Sequence, residues 1–271
     1  MKKLLFLSFG LTALFACSSR INNTKSPIKS HTIRVMSYNI HHANPPSKAK
    51  EGTIDLDAIA KVIKQQHPDL VALQEVDVNT NRSGKINEAV LLAQKLKMNF
   101  YFSKAINHDG GEYGVAILSR FPITNQQTYQ LPKNRDAKAE QRVLAVVTAQ
   151  VERDVFIRFA STHLDAQKSD ENRIMQANEI NKITAGEGFP LILAGDLNAV
   201  PGSETINIFD TEFTRTCTNC GFTIPVLKPN KTIDHIGFKN GGPFIVISNE
   251  VIPETYASDH LPILSVLQLK K

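Results

Sequence analysis

The sequence predicts a mixed α/β domain, built from mixed β-sheets that carry helices on their outer faces. Three observations lead there. Nine short apolar, β-branched runs recur along the chain, only three helical patterns lie between them, and the composition is that of an ordinary soluble globular protein. Of 271 residues, 42% are hydrophobic and 21% charged, which supplies a sizeable core. A single domain of about 240 residues is the simplest fit, and no repeat, heptad run or low-complexity tract interrupts it.

The strands are expected at 32–40 (TIRVMSYNI), 70–76 (LVALQEV), 113–119 (YGVAILS), 143–151 (VLAVVTAQV), 155–163 (VFIRFASTH), 190–196 (PLILAGD), 233–238 (IDHIGF), 243–248 (PFIVIS) and 262–269 (PILSVLQL). Helical spacing places Leu56, Ile59, Ala60 and Ile63 on one face. It does the same for Ile86, Ala89, Val90, Ala93 and Leu96, and for Ile174, Ala177, Ile180 and Ile183. A sheet that strictly alternated strand and helix would need more helices than these, so mixed sheets are indicated.

The first residues, MKKLLFLSFGLTALFAC, stand apart from the fold. Lys2 and Lys3 open the segment, and Leu4 to Leu14 form an apolar stretch too short to span a bilayer. A small residue then precedes Cys17. The segment resembles a bacterial lipoprotein signal over 1–16, with lipidation of Cys17 and a flexible polar tether over 17–31 ahead of a domain at 32–271. Phe15 departs from the usual small or branched residue there, which leaves a plain secretory signal as the alternative. On the lipoprotein reading the protein is a membrane-anchored lipoprotein of the cell envelope. Ser18 stands where an Asp would, in some bacteria, signal inner-membrane retention, which favours the outer membrane. The net charge is +5, and two of those charges are Lys2 and Lys3. The remaining cations are dispersed and form no nucleic-acid track. Cys217 and Cys220 form an isolated pair with no second ligand pair at zinc spacing, which leaves a local disulfide or free thiols open.

Polar groups then recur at the ends of apolar strands. Asn39 closes SYNI, Glu75 stands in LQEV, His163 closes ASTH, and Asp196 and Asn198 follow LILAG. Asp234 opens IDHI, while Asp259 and His260 precede the last strand. A carboxylate directly after core residues is costly unless it is paired or holds a cation. Each has a bland reading: Asn39 as a turn cap, Glu75 as a salt-bridge partner, the histidines as ordinary core or surface residues. Alternation in an extended chain lets Asp196 and Asn198 point at one spot, and turns His235 away from Asp234 into a structural role.

The ordered set SYNI, LQEV, YGVAILSR, THLD, GDLN, IDHI and SDHLP, spanning residues 33–266, resembles the endonuclease/exonuclease/phosphatase superfamily. That superfamily includes pancreatic-type deoxyribonuclease, apurinic endonucleases, neutral sphingomyelinases and inositol polyphosphate phosphatases. The resemblance implies a four-layer α/β/β/α sandwich of two mixed sheets with outer helices, and a Mg²⁺-dependent (or Mn²⁺-dependent) phosphoric ester hydrolase. It places the metal at Glu75 with Asn39, and Asp259 at a metal-proximal position. By the same likeness Asp196 activates the attacking water or holds a second metal, and Asn198 orients that water and the phosphate. His260 contacts the phosphate with Asp234 behind it, and His163 acts as general acid or phosphate clamp. Tyr113, Arg120 and Arg142 are the expected substrate-binding residues.

The expected partner is a phosphate-ester substrate, and the protein is expected to be monomeric. Nucleic acid is not favoured, because no Trp is present and the Tyr and Phe residues are not interleaved with Lys or Arg as a stacking platform requires. An extracytoplasmic nuclease is therefore the alternative, and an inactive binding module of the same fold is the second.

Overall fold

Period-two alternation along the first strand already separates the layers of the molecule. In the computed structural model, which describes residues 31–270, β1 (His31–Asn39) turns Ile33 and Val35 into one apolar cluster and Met36 and Tyr38 into another. The first cluster lies between two sheets and the second lies under helices. The expected signal segment, the tether up to residue 30 and Cys17 lie outside the described residues, and His31 belongs to β1.

The first sheet contains β1, β2 (Leu70–Val78), β3 (Asn99–His108), β4 (Gly111–Ser119), β11 (Phe244–Val251) and β12 (Ile263–Leu269), in the order β11-β12-β1-β2-β4-β3. The second contains β5 (Ile123–Gln130), β6 (Val143–Glu152), β7 (Val155–His163), β8 (Leu191–Asp196), β9 (Phe213–Arg215) and β10 (Asp234–Lys239), in the order β5-β6-β7-β8-β10-β9. Each sheet has one parallel pair, β1 with β2 and β7 with β8, and is otherwise antiparallel. The helices α1 (Leu56–Gln66) and α2 (Glu88–Leu96) cover the first sheet through Ile59, Ile63, Ala89 and Leu92. On the second sheet α3 (Glu171–Thr184) and α4 (Glu204–Glu212) do the same through Ile180, Ile206 and Phe209. The result is the expected α/β/β/α sandwich.

Helix starts follow local chemistry. Asp55 caps α1 by accepting the Ala58 N–H at 2.9 Å, and Asn87 caps α2 by accepting that of Val90 at 3.0 Å. Cys217 and Cys220 are joined as a disulfide in the loop after β9. Among the described residues no helix is long and apolar enough to cross a membrane.

The inner faces of the strands are apolar at one end and polar at the other. Along β1, Ile33 and Val35 give way to Ser37 and Asn39; along β7, Ile157 and Phe159 give way to Ser161 and His163; along β8, Ile192 and Ala194 give way to Asp196. Just below the change, Gln74 reaches Ser37 and Ser161 at 3.5 Å each and ties the sheets together. Glu75 does not end its strand as expected from the sequence. It sits inside β2 at a bulge between Leu73 and Val76, with a left-handed φ of 58°.

Strand spacing here depends on Gly195. A Cβ on it would fall against the Thr162 carbonyl oxygen of the parallel neighbour β7, well inside van der Waals contact. We expect Gly195→Ala to destabilise the fold by about 1–3 kcal/mol, the usual scale of overpacking, as read from urea unfolding. An unchanged midpoint would show that the two strands can part without cost.

Candidate active site

Strand register assembles the second sheet's part of the site. Asp196 is the register partner of His163 on one side and of Asp234 on the other, so three neighbouring strands deliver three functional groups to one row. His163 Nε2 lies 3.6 Å from Asp196 Oδ2, and His260 Nε2 lies 3.8 Å from the same oxygen. His260 comes from the loop before β12. That loop is fixed by Ser258, whose hydroxyl donates to the Asn39 carbonyl at 2.7 Å. Asp234 Oδ2 pairs with His260 Nδ1 at 2.9 Å, as the resemblance implied.

The two histidines occupy opposite electrostatic environments. His163 Nδ1 faces the Arg142 guanidinium at 3.3 Å; because that group only donates, Nδ1 accepts and Nε2 carries the proton toward Asp196. Burial first, then Arg142, then His260 hold the His163 pKa well below its ordinary value, so the ring is neutral. Burial also works against a charge on His260. The contact with Asp234 outweighs it, with help from Asp196 and Asp259, and pushes His260 up to about 10. Burial and the Asp234 charge raise Asp196 to about 7, against the pull of His260 and hydrogen bonds from Asn198 and Asn39.

The first sheet contributes Glu75 and Asn39. The Asn39 side-chain amide donates to Glu75 Oε1 at 3.0 Å and to Asp196 Oδ2 at 3.2 Å, and its oxygen accepts the His41 N–H at 3.1 Å. Asn39 thus braces two carboxylates. Glu75, His41 and His42 bring ligand atoms within 4.8 Å of one another, a donor set of carboxylate and imidazole that fits a divalent ion. His42 is pushed down to about 4, by burial first and then by Arg82 and His41. Asp259, expected near the metal, falls outside this group, with its carboxylate beside the Ser258 hydroxyl at 3.4 Å.

Asn198 does not share a face with Asp196 by strand alternation, because β8 ends at Asp196. Asn198 takes a left-handed φ of 48°, donates its backbone N–H to Asp196 Oδ1 at 2.8 Å, and gives its side-chain amide to the Leu164 carbonyl at 3.1 Å. It therefore positions Asp196. Arg142 turns inward, whereas its neighbours Arg135 and Lys138 are exposed. Tyr113 lines a cleft of about 100 Å³ with Glu75, Arg82, Ile106, His108 and Glu140. Arg120 does not join the site: β4 runs antiparallel to β2, and Arg120 sits beside Asp69 at the opposite end of the strands, about 23 Å along the chain from Tyr113. His235 is buried away from the site, with Nε2 on the Ala199 carbonyl at 2.9 Å. Arg82, His108, His41 and His42 were not singled out in the sequence; only the position of His41 and His42 directly after SYNI could have marked them.

Comparison with known proteins decides the lineage. The family model described as "Endonuclease/Exonuclease/phosphatase family" matches residues 36–263. The chain belongs to this family. Its members are phosphoester hydrolases. The Escherichia coli protein YbhP is 21% identical over 250 residues, covering 88% of this chain and 97% of YbhP. An endonuclease/exonuclease/phosphatase from Beutenbergia cavernae has the same fold with a TM-score of 0.72 and 24% identity, over 88% of this chain and 72% of that one. A mannosyl-6-phosphatase from Bacteroides thetaiotaomicron follows with a TM-score of 0.67 and 19% identity, over 87% of this chain and 99% of that one.

The His260 pair makes stability depend on pH in a definite sense. Its folded value of about 10 lies above the ordinary 6.5, so its contribution is complete below pH 6.5 and is lost as pH rises through about 10. Thermal unfolding in chelator should therefore show the wild type's advantage over His260→Gln shrinking from pH 6 to pH 10. A constant difference would mean that Asp234 does not hold the charge.

Proposed function

We propose that the protein is an envelope-anchored, divalent-metal-dependent hydrolase of small phosphate esters. The observation that carries this reading is the convergence of His163 Nε2 and His260 Nε2 on Asp196 Oδ2, with Asn39 linking that carboxylate to Glu75. A phosphate seated there meets two N–H donors of different character. His260, charged and held by Asp234, places a positive donor against the phosphoryl oxygens, where charge grows in the transition state. Neutral His163, oriented by Arg142, donates without adding a second charge. Asp196 is the group placed to accept the proton of an attacking water, and burial raises its basicity for that task. Glu75 and its imidazole neighbours would hold the divalent ion, Mg²⁺ or Mn²⁺, which when bound supplies charge neutralisation at the phosphate.

The small cleft beside Glu75 favours a compact substrate over a nucleic-acid duplex. The mannosyl-6-phosphatase among the fold neighbours is a sugar-phosphate enzyme by its name and supports the same choice. The anchoring half of the reading rests on the lipoprotein-like segment ahead of Cys17.

Two tests follow. Treatment with EDTA should abolish hydrolysis across a panel of sugar phosphates, nucleotides, diesters and DNA, and added Mg²⁺ or Mn²⁺ should restore it. Asp196→Ala and His260→Ala should each lower kcat by at least ~10²-fold, the scale of one lost transition-state contact. Adding Asp234→Asn to His260→Ala should cost little more, because Asp234 acts through His260. Full additivity, or full activity after chelation, would overturn the mechanism. In the bacterial cell, metabolic labelling with a fatty acid should mark the parent chain and spare Cys17→Ser; an unlabelled parent would leave a secreted enzyme.

A further inference from the structure

We infer that His41 and His42 join Glu75 in a mixed nitrogen and oxygen site that selects a first-row transition ion over Mg²⁺. The inference deepens the proposed function and rests on it for the purpose of the bound ion.

Three observations point the same way. First, His41 Nδ1 lies 3.0 Å from the Asn44 carbonyl, which fixes the proton on that nitrogen and leaves the Nε2 lone pair free. A carbonyl behind an imidazole is the usual way a ligating ring is oriented. Second, His42 Nδ1 is buried without a hydrogen-bond partner, and the group lies with His41 and Glu75 in one cluster. A buried ring nitrogen left unpaired is costly, and His42, unlike His235 whose Nδ1 is also unpaired, has it within a cluster of ligand-type side chains. Third, His41, His42 and Ala43 all adopt left-handed backbone, with φ of 46°, 43° and 52°. Non-glycine residues rarely adopt that region, and three in a row need support from the surroundings.

That support is present. The Ala43 N–H donates to the Ile40 carbonyl at 2.8 Å, the Asn44 N–H to the His41 carbonyl at 2.9 Å, and the Asp55 N–H to the Ala43 carbonyl at 2.7 Å. The Asn44 side chain donates to the Thr53 carbonyl at 2.6 Å. Glu75 is left-handed too and is held by Asn39. Both sides of the cluster are therefore built in unfavourable backbone geometry so that two rings and one carboxylate face each other. Imidazole suits Fe²⁺, Ni²⁺ and Zn²⁺, with Co²⁺ between the first two in the order of affinity, whereas Mg²⁺ and Mn²⁺ prefer carboxylate, carbonyl and water oxygens.

The test is binding to the chelator-treated protein without substrate, so that loss of catalysis and loss of this site are read separately. Co²⁺ and Mg²⁺ affinities are measured by titration calorimetry and, for Co²⁺, by visible absorption. His41→Asn and His42→Asn are the chosen variants, because Asn tolerates left-handed backbone and lacks the ring. The wild type should bind Co²⁺ more tightly than Mg²⁺ by at least ~10-fold. Each variant should lose at least ~10-fold in Co²⁺ affinity, since losing an outer-shell partner of a ligand alone costs ~10–100-fold, with Mg²⁺ affinity little changed. Glu75→Gln should lose both ions. Zn²⁺ added to the wild type should shift the imidazole ¹⁵N resonances of His41 and His42, a readout that stands even where a variant fails to fold. Equal affinity for the two ions, or resonances of His41 and His42 that ignore Zn²⁺, would overturn the inference whatever the enzyme hydrolyses.

Discussion

A single amide holds the site together across the sandwich. Asn39 ends the inner row of β1, and its side-chain nitrogen donates to Glu75 in its own sheet and to Asp196 in the other. Two carboxylates this close repel one another unless something positive or polar lies between them. Asn39 is fully buried, so its amide contacts are not diluted by solvent. For the amide to span the gap, the two sheets must stack with their polar ends aligned. That alignment is set by the apolar rows below, from Ile33 and Val35 against Phe159, Ile192 and Ala194, and by Gln74 between Ser37 and Ser161. The hydrophobic core thus fixes the distance over which the polar chemistry operates.

From that geometry the division of labour between the histidines follows. Both rings are buried and both aim Nε2 at one carboxylate oxygen, yet one sits against a guanidinium and the other against a carboxylate. Burial penalises a charge on either ring. Arg142 adds to that penalty at His163, and Asp234 reverses it at His260. One neutral and one cationic donor converge on a point with less mutual repulsion than two cations would suffer. A phosphoryl group needs such a pocket: several directional donors, without so much fixed positive charge that the product is retained.

Much of this was legible in the sequence because the inner rows obey a period of two. Asp196, Asp234 and His163 stand out as polar residues that continue apolar alternation, and all three lie in the site. Nine strands are recognisable from their apolar, β-branched runs, and three helices from a period of 3.6. The strands that escaped, β3, β5 and β9, all lie at sheet edges. NFYFSKAINH and ITNQQTYQ carry exposed polar residues that blur any alternation, and β9 is only three residues long. The helix α4 was hidden by a mixed composition, ETINIFDTE. Strand direction is not written in a sequence, and the strand that holds Tyr113 at the site carries Arg120 to the far end. A bulge is equally silent: LVALQEV looks like a strand closing at Glu75 and Val76, whereas the strand continues to Val78. His41, His42, Arg82 and His108 come from turns or strand ends with no apolar frame around them.

The central claim is that residues from both sheets act on one phosphate. The most direct measurement is a titration of the metal-loaded protein with inorganic phosphate or vanadate, followed through the imidazole resonances of His163 and His260. Both rings should shift together with a single affinity, and Asn39→Ala should weaken that affinity, because the Glu75 and Asp196 carboxylates would no longer be braced. Independent affinities for the two histidines, or a His163 that does not respond, would contradict the account.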